Sequence, residues 1–123
     1  MVVQKPNESY RERTKAFTLK IIEFYVSLPK GSIKYILGKQ LLRSASSSAA
    51  NYRAACLARS VKERYSKMCI VVEEADETQF WLELFLESEI TFQNNLESLL
   101  KEAEEIAKIM TSYRFKLKQG LNN

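Results

Sequence analysis

Glu73, Glu74, Asp76 and Glu77 put four carboxylates within five residues, and Glu74-x-x-Glu77 is a spacing that sets two of them on one helix face. Carboxylates so placed on bundled helices can hold magnesium for nucleotide hydrolysis. That chemistry needs a second Glu-x-x-Asp pair on a later helix, and Asp76 is the only aspartate in the chain. A phosphate loop fails on spacing. In GSIKYILGKQ six residues separate Gly31 from Gly38, and Gln40 stands where Ser or Thr would meet magnesium. The chain has no histidine, which excludes a Ser-His-Asp triad, a Cys-His dyad and the Glu-x-x-His of di-iron bundles. Cys56 and Cys69 make no CxxC motif and are too few for a disulfide scaffold. They are expected to be reduced, partly buried thiols. The residues therefore predict no catalytic group, no metal and no cofactor.

The remaining chemistry is cationic. Net charge is +4, but it is unevenly spread. Residues 1–43 hold nine basic and three acidic residues, and residues 44–72 hold five and one. Residues 73–106 reverse this with one basic and eleven acidic, while residues 107–123 hold four basic and no acidic residue. Whether these charges gather depends on the elements that carry them.

With three Gly and two Pro in 123 residues, turn chemistry is too scarce for a many-stranded fold. The chain is expected to be a single all-α domain, large enough to bury about two-thirds of its unfolded surface. LPKGS at 28–32 is a short break, Ser60 three residues before Glu63 is a capping box, and SEITFQNN at 88–95 is a softer break. These predict helices over about 9–28, 33–58, 61–88 and 92–119, joined up-down-up-down by short connections. Tyr10, Thr14, Phe17, Ile21, Phe24 and Leu28 form one seam; Phe92, Leu96, Leu99, Ala103, Ile106, Met110, Tyr113 and Leu117 form another. In the third helix the same count selects Tyr65, Met68, Val72, Ala75, Gln79, Leu82 and Leu86.

The second helix is unusual. Ile33, Leu37, Gln40, Ser44, Ser47 and Asn51 keep the seam spacing but turn small and polar midway, through RSASSSAANY. Ser and Ala are tolerated inside a helix, so this is expected to be a thin helix that a neighbouring backbone approaches closely. Gln40, Arg43 and Asn51 then need polar partners, and Glu73, Asp76 and Gln79 of the third helix are the expected ones.

With Tyr65 as a heptad a position, Ile70, Phe80, Trp81 and Leu84 fall on outward positions of adjoining turns. A helix that is apolar all round is buried, so these four are expected to form a subunit interface. Antiparallel folding brings the cations of four helix ends to one pole: Arg11 and Arg13, Arg53 and Arg59, Lys62, Arg64 and Lys67, and Arg114, Lys116 and Lys118. Those at helix starts oppose the macrodipole by a few tenths of a kcal/mol each. An arrangement that costs stability suits attraction to phosphates. No base-reading motif is present, so binding to structured RNA or DNA is expected to be led by shape and charge. The start MVVQKPNE has no apolar leader and no run is long enough to cross a membrane, so the expected location is the cytoplasm.

YILGKQLLRSASSSAANYRAACLARS and SKMCIVVEEADETQFWLELFLES resemble the small bacterial four-helix-bundle proteins encoded in intervening sequences of 23S rRNA genes, once labelled ribosomal-protein-like. The accessory protein of diversity-generating retroelements shares that fold. Gln40 to Ser44, Ala50 to Arg53, Glu74 to Thr78 and Trp81 to Leu84 carry the likeness. Ala45-Ser46-Ser47 stands where the family has Gly-Thr-Ser, and Ala54 where it often has Glu. The resemblance implies a homopentameric ring or barrel, in a family for which no enzymatic activity is established. It also implies a nucleic-acid role beside a reverse transcriptase in the retroelement branch. Three classes follow: a nucleic-acid-binding accessory module, a protein-interaction scaffold, and the magnesium-dependent hydrolase that the carboxylates alone suggest.

Overall fold

Two serines start helices through their hydroxyls. Ser60 Oγ accepts the Glu63 N–H at 3.0 Å, and the Glu63 carboxylate reaches back to accept the Arg59 N–H at 3.1 Å. Ser32 Oγ accepts the Tyr35 N–H at 3.3 Å, after a turn in which Gly31 takes a φ of 78° that favours glycine. In this computed structural model residues 5–91 and 95–122 are described. They form α1 (Ser9–Val26), α2 (Ile33–Cys56), α3 (Val61–Ser88) and α4 (Leu96–Leu121), with no strand among the described residues. Phe92, Gln93 and Asn94, expected at the start of the fourth helix, lie outside them.

The helices form an antiparallel four-helix bundle in which each packs on its sequence neighbour and α4 closes against α1. Direction shows in the contacts. The Tyr52 hydroxyl donates to the Asn7 carbonyl at 2.7 Å at one end of the α1–α2 pair, and Tyr25 stacks on Tyr35 at 5.0 Å at the other. Gly38 is buried where α1 ends: a Cβ there would lie 2.5 Å from Leu28 Cδ1.

α1 buries Thr14, Phe17, Ile21 and Phe24, and α4 buries Leu96, Leu99, Ala103, Ile106, Met110 and Leu117, as their stripes predict. Each fully buried Ile, Leu or Phe contributes about 1.5–3 kcal/mol relative to exposure. The other two seams are rotated from expectation. α3 buries Met68, Val71, Ala75, Thr78, Leu82 and Phe85, while Tyr65, Val72, Gln79 and Leu86 are half-buried. Apolar residues sit on both sides of that boundary (Val71 and Val72, Phe85 and Leu86), so periodicity alone does not choose between them. α2 buries Leu41, Ser44, Ala45, Ser48, Tyr52 and Ala55, whereas Ile33 is exposed and Leu37, Gln40, Ser47 and Asn51 are half-buried. A seam built of hydroxyls and alanines is invisible to a count of hydrophobic residues.

Those small residues make a waist. Thr14, Ala45, Ser48, Ala75, Thr78 and Ala103 surround a void of about 10 Å³, no more than one water needs. Ser48 Oγ donates to the Val71 carbonyl of α3 at 3.2 Å, and Thr78 Oγ1 meets Ser44 Oγ at 3.0 Å. A serine hydroxyl reaches the backbone of a neighbouring helix only where the two helices approach closely, as small residues allow. Among the described residues no helix is long and apolar enough to cross a membrane.

Candidate nucleic-acid interface

Antiparallel packing gathers the start of α1, the end of α2, the start of α3 and the end of α4 at one end of the bundle. Of the ten cations expected there, seven have side chains that form neither an ion pair nor a hydrogen bond among the described residues: Arg53, Arg59, Lys62, Lys67, Arg114, Lys116 and Lys118. Arg53, Arg59, Lys62, Lys116 and Lys118 are exposed, and Lys67 and Arg114 are half-buried.

The other three are engaged. Arg13 donates to Glu102 through Nε at 2.9 Å and through a terminal nitrogen at 2.7 Å, and lies 3.0 Å from Glu105. α4 has 26 residues and α1 has 18, so the second turn of α1 meets the acidic first half of α4 instead of its basic end. The paired guanidinium holds the Glu102 carboxyl below its ordinary range, against the opposing effect of burial. Arg64 donates to the Ala55 and Ala58 carbonyls, each at 3.2 Å, and so caps the end of α2. The tight α2–α3 turn carries it beneath those carbonyls. Arg11 makes an exposed pair with Glu8 at 3.6 Å, a contact worth little in water.

Under this surface lie Tyr10, Tyr52, Cys56 and Tyr113. Burial pushes the Cys56 thiol up, with Arg11 pulling partly back, and it pushes Tyr113 up to about 12. Both groups are neutral near pH 7. Cys56 and Cys69 are free thiols, each half-buried.

The polar contacts between α2 and α3 differ from expectation. Arg43 Nε donates to the Gln40 side-chain Oε1 at 3.0 Å, and its terminal nitrogens donate to Glu74 at 3.0 Å and to Glu77. Glu73 and Asp76 are exposed, Gln79 is half-buried on the α4 side, and Asn51 donates to Ser47 of its own helix. The rotation of α3 accounts for this: with Val71 and Thr78 inward, Glu74 and Glu77 face α2. The Glu74-x-x-Glu77 pair is thus spanned by an arginine. Among the described residues no group of three His, Cys, Asp or Glu is placed to hold a metal ion.

Residues 8–112 match the family described as 23S rRNA-intervening sequence protein, a span that takes in α1, α2, α3 and most of α4. The chain belongs to that family. Its fold is similar to the crystal structure of a protein of unknown function from the S23 ribosomal protein family of Bacteroides thetaiotaomicron VPI-5482. The two are 32% identical with a TM-score of 0.75, over 83% of this chain and 94% of that one. No curated protein matches the chain.

In this member of the 23S rRNA-intervening sequence protein family, the four apolar residues expected at an interface divide. Phe80 is 50% exposed and Ile70 37% exposed, while Trp81 and Leu84 are half-buried. The rotation of α3 points Phe80 outward and leans Trp81 onto the core, its ring 5.0 Å edge-on from Phe80. Other apolar residues, all but Ile33 passed over by the stripes, are exposed as well. Leu19, Ile22 and Val26 run at spacings of three and four opposite the buried stripe of α1, and Ile33 and Ile36 open α2. That signal is present in the sequence as a second stripe on α1, out of phase with the first.

Proposed function

We propose that this chain is a non-enzymatic, self-associating bundle that binds structured RNA or DNA through its basic end, in the cytoplasm. The observation that carries the proposal is the set of seven cations whose side chains have no carboxylate partner among the described residues and gather at one end of the bundle, while Glu83, Glu87, Glu89 and Glu97, partly offset by Lys30, Lys34 and Lys39, lie toward the other. Among them Lys62, in the first turn of α3, opposes the helix dipole, so fold stability does not account for its place there. Phosphates do, since each neutralised phosphate releases condensed counterions. The exposed apolar residues Phe80, Ile70, Ile36 and Val26 are the surface through which copies meet. The resemblance implies five copies in a ring, which would merge the basic ends into one face. A reverse transcriptase is a partner by the same resemblance alone.

Filter binding of the wild-type protein to a structured RNA and a DNA duplex across a salt series tests this. Affinity that is measurable at low salt and falls steeply as salt rises is the expected result. No retention of either nucleic acid at low salt leaves the interaction scaffold. Incubation with nucleoside triphosphates and magnesium is expected to release no pyrophosphate, and release would restore the hydrolase.

A further inference from the structure

Between the start of α1 and the end of α4 the basic end is recessed. Lys5, Tyr10, Lys108, Ser112, Tyr113 and Lys116 line a groove of about 380 Å³, within the size range of small-ligand sites. Lys108, Ser112 and Lys116 stand four residues apart, and so form one ladder along α4. No carboxylate lines the groove, and its three lysines form no ion pair among the described residues. Its floor is held in place: the Tyr52 hydroxyl is committed to the Asn7 carbonyl, and the Tyr10 ring meets the Tyr52 ring edge-on at 6.5 Å.

We infer that this groove holds one unpaired nucleotide of a bound strand, its phosphates on Lys5, Lys108 and Lys116 and its base against the Tyr10 and Tyr113 side. The inference rests on the reading of this end as the nucleic-acid surface and names the form of nucleic acid that it takes. A duplex offers its phosphates on a convex surface and cannot enter a recess, whereas a splayed nucleotide can, and every base has a face that an aromatic wall accepts. Ser112 at the rim adds a hydroxyl donor for a phosphate oxygen.

The test compares fluorescence anisotropy of a labelled single-stranded RNA of about twelve nucleotides, a length within the site sizes of OB-fold single-strand binders, with that of a blunt RNA duplex of the same length. The proteins are wild type, Ser112→Leu, Lys108→Ala/Lys116→Ala and Arg53→Ala/Lys62→Ala, each checked for unchanged helicity and melting. Wild type is expected to prefer the single strand. Ser112→Leu fills the groove without altering charge, and should weaken single-strand binding about tenfold, the loss of one stacked base, while leaving duplex binding within about twofold. Lys108→Ala/Lys116→Ala should lose at least as much on the single strand. Arg53→Ala/Lys62→Ala, outside the groove, should weaken both RNAs equally. Single-strand binding by Ser112→Leu equal to wild type, or a wild-type preference for duplex, overturns the groove and leaves the basic end standing. Wild-type silence towards both RNAs removes the two together.

Discussion

Arginines in this chain divide by what they touch. Arg64 serves the carbonyls at the end of α2 and Arg13 serves Glu102 and Glu105, while the guanidinium groups of Arg53 and Arg59 pair with no carboxylate among the described residues. Arg64→Ala is therefore expected to lose about 1–2 kcal/mol of stability by removing two charge-assisted bonds to a helix end. Arg59→Ala should leave melting unchanged and weaken nucleic-acid binding, so paired melting and binding curves separate the two roles. Arg13→Ala should cost about 1 kcal/mol, with a definite pH dependence. Glu102 is held below its ordinary value near 4.5, so its contribution is fully present above that value and is lost as pH falls through the lower folded-state one. Melting of wild type and Arg13→Ala should differ at pH 6–7 and converge in acid. The identity of the cations was legible from composition and spacing. Their engagement was not, because it depends on how far along α4 the shorter α1 reaches.

At the scale of the helix, α2 sets the geometry. Ser44, Ala45 and Ser48 are buried and short enough for Ser48 Oγ to reach the Val71 carbonyl. Ser48→Leu is expected to cost about 1–3 kcal/mol by forcing α2 and α3 apart, whereas Ser46→Leu, on the exposed face, should stay within about 0.5 kcal/mol. Thermal melts of the two variants check this; equal melting would mean the waist is slack. RSASSSAANY announced a thin helix, and the Ser60–Glu63 pair announced the start of α3 to the residue. The rotation of α2 and α3 was hidden for a physical reason. Each of these helices packs on two neighbours, so its buried arc is wider than one seam, and small or hydroxyl side chains can face inward without raising hydrophobicity. That rotation exchanged Glu73 and Asp76 for Glu74 and Glu77 as partners of Arg43.

For the whole molecule, the sign of charge changes from one end of the bundle to the other, and apolar side chains remain uncovered on its flanks. Phe80→Glu places a charge at a half-exposed position that contributes nothing to the core, so helicity should be retained. Light scattering is expected to show wild type above the mass of one chain at micromolar concentration and the variant shifted toward one; a wild-type monomer contradicts self-association. Charge reversal at Arg53, Lys62 and Lys118 tests the basic end without touching Arg64, whose loss would confuse binding with folding. The direct measurement is the dependence of RNA affinity on salt for wild type and for Arg53→Glu/Lys62→Glu/Lys118→Glu. Wild type should give a log–log slope of about −3 to −5, for roughly five phosphates neutralised, and the triple variant should show no measurable binding at low salt. A wild-type slope near zero, or a variant that binds as wild type does, would contradict the account.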